Sequence, residues 1–252
     1  MNGIEHLLIL FVVSLAANLL SAFSGGGAGL LQLPVLLFLG LPFAVALATH
    51  KVASVALGIG ATLRHLKEEP LDRGFALLIL AAGLPGVLVG ANVILHVPDR
   101  TARIALGVLT LGLGVYSWLN PGLGLAAQRL HRDRLGQWLG ALVLFAIGVL
   151  NGSLTSGTGL FVTLWLVRWF GLDYRRAVAY TLVLVGLFWN GTGALMLGYL
   201  SNVRWDWLPA LLVGSLLGGY LGAHLAIVKG NRYVKRGFEI LTLLVGAKLI
   251  LG

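Results

Sequence analysis

The chain contains no cysteine. That excludes a disulfide framework, a thiolate metal site and a cysteine nucleophile. Charge is scarce, with Asp, Glu, Lys and Arg making up only 11% of the residues. The opening MNGIEH carries Glu5 but neither Lys nor Arg, so it lacks the basic region of a cleaved signal peptide, and the first apolar run is expected to be mature structure. The polar–apolar alternation of a transmembrane β-barrel is missing as well. Acidic residues are the rarest class. Eight of the nine, Glu5, Glu68, Glu69, Asp72, Asp99, Asp133, Asp173 and Asp206, fall in connections or at segment ends. Only Glu239 lies within an apolar segment, where a nearby basic residue is its expected partner.

What is abundant is apolar surface. Hydrophobic residues make up 58% of the 252 positions and the mean hydropathy is +0.92. A soluble domain of this length could not bury that much, so the class is an all-α polytopic membrane protein with the lipid bilayer as its surroundings. The net charge of +9 comes from short basic clusters between apolar runs, the pattern of membrane orientation rather than of a nucleic-acid partner.

The uncharged run Leu7–Thr49 is too long for one crossing of a hydrocarbon core about 30 Å thick. It must reverse, and Gly25-Gly26-Gly27 within SAFSGGGAGLLQLP is the natural place, because consecutive glycines break a helix cheaply. A similar break recurs at NGSLTSGTG, residues 151–159. Ten helical segments are predicted, at 4–23, 28–40, 42–66, 72–96 and 100–119, then 135–152, 158–170, 174–199, 206–228 and 233–251. The order of Gly27, Gly29, Gly40, Gly60 and Gly90-Ala91 repeats as Gly157, Gly159, Gly171, Gly191 and Gly222-Ala223, and Arg103 falls opposite Lys235. The chain is expected to comprise a first membrane repeat (1–120), a connecting loop (121–134) and a second repeat (135–252). Each repeat has about five segments, with glycine-broken hairpins that either cross fully or are re-entrant, giving eight to ten segments in all. The second segment is short for a full crossing, which favours the re-entrant form.

An odd number of passes per repeat puts thirteen of the eighteen basic residues on one side. These are Arg64, Lys67, Arg73, Arg129, Arg132, Arg134, Arg168, Arg175, Arg176, Lys229, Arg232, Lys235 and Arg236. Arg100, Arg103, Arg204 and Lys248 fall on the other side, and Lys51 stands alone within a segment. This asymmetry predicts inverted repeats with both termini outside.

Inversion would bring the two glycine tips together near the midplane. Each tip precedes a short helix whose bare amides and positive end suit an anion. The expected ligands are Ser24, Gly25, Gly26 and Gly27 from the first tip, and Ser153, Thr155, Ser156, Gly157 and Thr158 from the second. Lys51 lies nine positions after Pro42, about 13 Å into its helix. An ammonium at that depth costs at least ~2.5–3.5 kcal/mol and marks a functional site. His50, Gln32 and Asn190 are the further polar candidates within segments; His50 need not share Lys51's direction, since neighbours on a helix point about 100° apart. Plain alternatives stand beside each assignment: glycines for close packing, hydroxyls bonded back to carbonyls, and a lysine snorkelling to the interface.

SAFSGGGAGLLQLP resembles the signature of the sulfite exporter TauE/SafE family. ALATHKVASVALGIGATLRHLKEEPLD and RRAVAYTLVLVGLFWNGTGALMLGYLSNVRWDWLPALLVGSLLGGYLGAHLA are similar to its following segments, and the likeness covers nearly the whole chain. The resemblance implies a carrier of sulfite, thiosulfate or organosulfonates in the bacterial inner membrane, with Gly25, Gly26, Gly27, Lys51 and Asn190 in the substrate path. Members often carry a second lysine where this chain has Thr181-Leu182, so one positive charge fewer is implied here.

The expected function is therefore a secondary carrier for a small sulfur-containing anion, without a cofactor, metal or catalytic residues. An anion channel of the same architecture is the alternative. An intramembrane serine protease built on Ser156 and His224 would need glycine where Leu154 stands. Proton or sodium coupling and assembly as a homodimer are both compatible with the sequence.

Overall fold

The computed structural model describes residues 3–68, 70–93, 99–154 and 157–251. Among these residues the structure is helical, without strands. The elements run α1 (Gly3–Ser24), α2 (Ala28–Phe38), α3 (Phe43–His65), α4 (Arg73–Val93) and α5 (Asp99–Leu119), then α6 (Arg134–Leu154), α7 (Thr158–Arg168) and α8 (Tyr174–Tyr180). A π-helical stretch (Thr181–Trp189), α9 (Asn190–Leu200), α10 (Leu208–Lys229) and α11 (Asn231–Leu251) complete the chain. Among the described residues, six helical stretches are long and apolar enough to span a membrane. These observations make the chain a multi-pass membrane protein.

One predicted helix, 174–199, is three pieces. Its middle nine residues, TLVLVGLFW, form the π-helix, whose wider turn an apolar run does not announce. Here Gly58 of α3 makes its closest approach: a Cβ at Gly58 would lie 2.5 Å from the Gly186 carbonyl carbon. Such π segments are uncommon and concentrate at functional positions.

The two most extensive helix pairings are α1 with α10 and α4 with α6. Both are built on small residues every fourth position, which let backbones meet closely in a membrane. Gly214, Gly218 and Gly222 of α10 lie against Phe11, Leu15 and Leu19 of α1, so the two helices run parallel. Gly86 and Gly90 of α4 lie against Phe145 and Val149 of α6, again in parallel. α5 and α11 pack antiparallel, with Gly107 against Gly246–Ile250 and Gly114 against Thr242.

The basic segments collect on one face. Arg64 Nε donates to His224 Nδ1 at 3.1 Å, and the Arg175 amide donates to Asn231 Oδ1 at 2.9 Å. The connection after α5 is tied to the same face: Gln128 N donates to Gly171 O (2.7 Å) and Tyr174 N to Gly124 O (2.9 Å).

Glu239 finds the basic partner anticipated for it. Lys235 Nζ lies 3.1 Å from Glu239 Oε1, with the side chains only 8% and 13% exposed. Ser117 Oγ donates to Glu239 Oε1 and lies 2.8 Å from Tyr174 Oη, so the pair joins α5, α8 and α11. Breaking a buried pair from one side typically costs about 3–5 kcal/mol. Glu239→Gln is expected to destabilise the protein near the lower end of that range, because a neutral acceptor remains. Adding Lys235→Met should recover more than half of the loss in detergent unfolding. Strictly additive effects of the two changes would show the pair to be energetically uncoupled.

Candidate functional site

The glycines that open the two short helices adopt the same left-handed conformation. Gly25, Gly26 and Gly27 adopt φ of 92°, 141° and 99°, and Gly157 adopts 79°. Gly27 and Gly157 are the N-caps of α2 and α7, each of 11 residues, and neither cap uses a side chain. Leu30 N donates to Gly27 O at 3.0 Å and Leu160 N to Gly157 O at 2.9 Å. The amides of Ala28 and Gly29 in α2 and of Gly159 in α7 precede the first possible acceptor of their own helix. The two elbows meet: a Cβ at Gly26 would stand 2.7 Å from the Gly159 carbonyl carbon and the Leu160 nitrogen. The contacts are reciprocal, with Gly27 against the Leu160 side chain and Gly157 against that of Leu30. At this contact the backbones touch, because glycine leaves nothing between them.

The charged group sits to one side of that contact, at the second elbow. Lys51 is wholly buried. Its ammonium donates to Asn151 O (3.0 Å), Asn151 Oδ1 (2.8 Å) and Asn190 Oδ1 (3.2 Å). Asn151 Nδ2 in turn donates to Thr158 Oγ1 at 2.8 Å, at the start of α7. A Cβ at Gly193 would lie 3.2 Å from Lys51 Cε and Nζ, so that glycine makes room for the lysine tip. Among the described residues no carboxylate pairs with Lys51. A buried ammonium satisfied only by neutral oxygens has no counter-charge, and its natural complement is an anion.

His50 faces elsewhere, as the helical rotation between neighbours allows. Its Nδ1 lies 2.9 Å from Gln32 Oε1, and Gln32 Nε2 donates to Ser14 Oγ at 3.1 Å. Asn18 and Ser215 extend this second buried cluster between α1, α2, α3 and α10. A pair at the same 18-residue spacing occurs in the other half: Thr163 Oγ1 lies 2.9 Å from Thr181 Oγ1 and donates to Gly25 O at 2.8 Å.

The family model for sulfite exporter TauE/SafE matches residues 10–249. The chain belongs to this family. Among its relatives in the family is a "Probable membrane transporter protein" of Haemophilus influenzae, 29% identical over 250 residues, covering 98% of this chain and 96% of the relative. Another is the "Probable membrane transporter protein YfcA" of Escherichia coli K12, 28% identical over 243 residues, covering 96% and 88%. No solved structure matches the chain.

In this TauE/SafE member the predicted site residues thus divide. Lys51, Asn190, Gly157 and Thr158 come together at the second elbow, Gln32 and His50 form a separate cluster, and Gly25–Gly27 form the first elbow. Ser24 Oγ donates to Leu20 O at 2.7 Å and Ser153 Oγ to Val149 O at 2.9 Å, so both hydroxyl protons are turned back to their own helices. Thr155 and Ser156 lie outside the described residues. Asn151, the principal partner of Lys51, was not singled out by the sequence, although it opens the second glycine-rich stretch. His224 Nδ1 accepts from Arg64 on the basic face.

Proposed function

We propose that the protein is a secondary carrier, in the bacterial inner membrane, for a small sulfur-containing anion such as sulfite, thiosulfate or an organosulfonate. The observation that carries this reading is the buried Lys51 ammonium, held by Asn151 and Asn190 with no counter-charge among the described residues. Substrate oxygens would displace amide oxygens from the ammonium, and first-turn amides of α7 would add donors. The family and its relatives' names support transport rather than catalysis.

Alternating access between inverted repeats is supported by the reciprocal pairing of α1 with α10 and α6 with α4, and by the matched elbows. α10 ends on the basic face and α6 begins there, so α1 points toward that face and α6 away from it, as inversion requires. Taking the basic face as cytoplasmic places both termini outside.

The test is flux. Purified protein in liposomes should accumulate or release labelled sulfite, thiosulfate or taurine, with saturation at low turnover. The transported anion should also raise the melting temperature in detergent, as a ligand specific to the folded state must. Single-channel currents would replace the carrier with a pore. Absence of both flux and stabilisation across the panel would remove sulfur anions as the substrate class.

A further inference from the structure

Two adjoining hollows open on the basic face where α4, α6 and the connection between the halves meet. The first, about 330 Å³, is walled by Leu78, Ala81, Ala82, Trp138 and Ala141, with Arg134 also in its lining. The second, about 840 Å³, has a lining that is about half polar and includes Arg129 and Arg132. Leu78 and Gln137 line both, so the two make one crevice that changes from apolar to polar along its length.

Its position fits that gradient. α4 begins at Arg73 and α6 at Arg134, so the apolar walls belong to the second and third turns of both helices, about 6–14 Å beneath the basic face. Trp138, 77% exposed, stands at the opening to the bilayer, the level at which tryptophan gathers in membrane proteins. The Arg132 guanidinium rests 4.2 Å from the Phe75 ring centroid, which fixes it in the polar half. The two carboxylates there are engaged as helix caps: Asp72 Oδ1 accepts from Phe75 N and Asp173 Oδ1 from Arg176 N. Among the described residues no carboxylate forms an ion pair with Arg129, Arg132 or Arg134.

We propose that this crevice binds an anionic phospholipid of the adjoining leaflet. One acyl chain lies against Leu78, Ala82 and Ala141, and the phosphodiester sits among Arg129, Arg132 and Arg134. A soluble anion would use only the polar half and leave the apolar hollow to no purpose. A zwitterionic lipid brings its own cation beside the phosphate and so matches the arginines less well. Basic pockets between membrane helices on such a face recognise acidic headgroups. The bound lipid would join the connection between the halves to α4, α6 and α8. The inference is independent of which anion is carried.

The test uses full-length protein in uncharged detergent, titrated with phosphatidylglycerol, phosphatidylcholine or glycerol 3-phosphate. Native mass spectrometry and melting temperature are the readouts. Phosphatidylglycerol should bind and raise the melting temperature; the other two should do neither at equal concentration. Arg129→Gln with Arg134→Gln, neither of which disturbs the Arg132–Phe75 stack, should weaken binding about thirtyfold, at roughly fivefold per arginine. Ala81→Phe should weaken it by filling the apolar half with every arginine kept. Equal stabilisation by glycerol 3-phosphate would make the crevice a soluble-anion site, and equal binding of phosphatidylcholine would remove the charge argument. Either result overturns the proposal, as would undiminished affinity in both variants.

Discussion

Lys51→Met is expected to lower anion affinity and flux about 100- to 1,000-fold while leaving the protein folded. The ammonium is wholly buried, and among the described residues no carboxylate pairs with it. Removing one partner of a buried, hydrogen-bonded charge pair costs roughly 2–5 kcal/mol, and each 1.4 kcal/mol is a factor of ten. Stability moves less, because two terms oppose each other. Methionine leaves Asn151 O and Asn151 Oδ1 without their lysine donor, at about 1–3 kcal/mol for each orphaned group, but it also ends the ~2.5–3.5 kcal/mol cost of placing an ammonium at membrane depth. Asn190 Oδ1 keeps a contact with Asn151 Nδ2 at 3.3 Å. Lys51→Arg separates charge from shape. It keeps the cation but presses a planar fork into the space that Gly193 leaves for a slender tip. It should therefore fold less well than the methionine variant and transport little. Flux into proteoliposomes, with melting temperature as the folding control, decides the matter. Undiminished flux from Lys51→Met would remove the lysine from the transport path.

Much of this architecture is legible in the residues, because membrane depth converts composition into position. The predicted segments 4–23, 28–40, 42–66 and 158–170 each fall within a few residues of a helix. Their ends are set by Gly25–Gly27, Gly40, Pro42 and Gly157, residues whose backbone preferences are local. Lys51 stands out for the same reason: a lone charge in an apolar segment is conspicuous whatever surrounds it. What the sequence hides is relational. Asn151 becomes the partner of Lys51 only through contact across 100 positions. Ser24 and Ser153 look like donors at a tip, yet their protons satisfy carbonyls one turn back, a choice that rotamers make and composition does not. The π-helix at Thr181–Trp189 is invisible because an uninterrupted apolar run fits α and π geometry equally well. His50 and Lys51, adjacent in the chain, serve different clusters because one helix presents two faces to two neighbours.

The second large effect is expected from Gly26→Ala, which should lower stability by roughly 3–5 kcal/mol and abolish transport with it. Two costs combine. The residue holds φ at 141°, a conformation that strains any side chain by about 1–3 kcal/mol. Its new methyl would also stand 2.7 Å from the backbone of Gly159 and Leu160, where no rotamer can yield. Forcing a methyl into such a contact typically costs a further 1–3 kcal/mol. The sum is a large share of the ~5–15 kcal/mol that holds a typical protein folded. The strain also falls where the two elbows touch, so relief by moving them apart would shift α7 and, through Thr158 and Asn151, the seat of Lys51. Gly112→Ala is the matched control: it lies within α5 with nothing near its added methyl, so it should be neutral or stabilise by up to about 1 kcal/mol. Yield of monodisperse protein and unfolding in detergent separate the two variants. If Gly26→Ala is as stable as Gly112→Ala, the elbows are not in contact, and a site built on their juxtaposition loses its foundation.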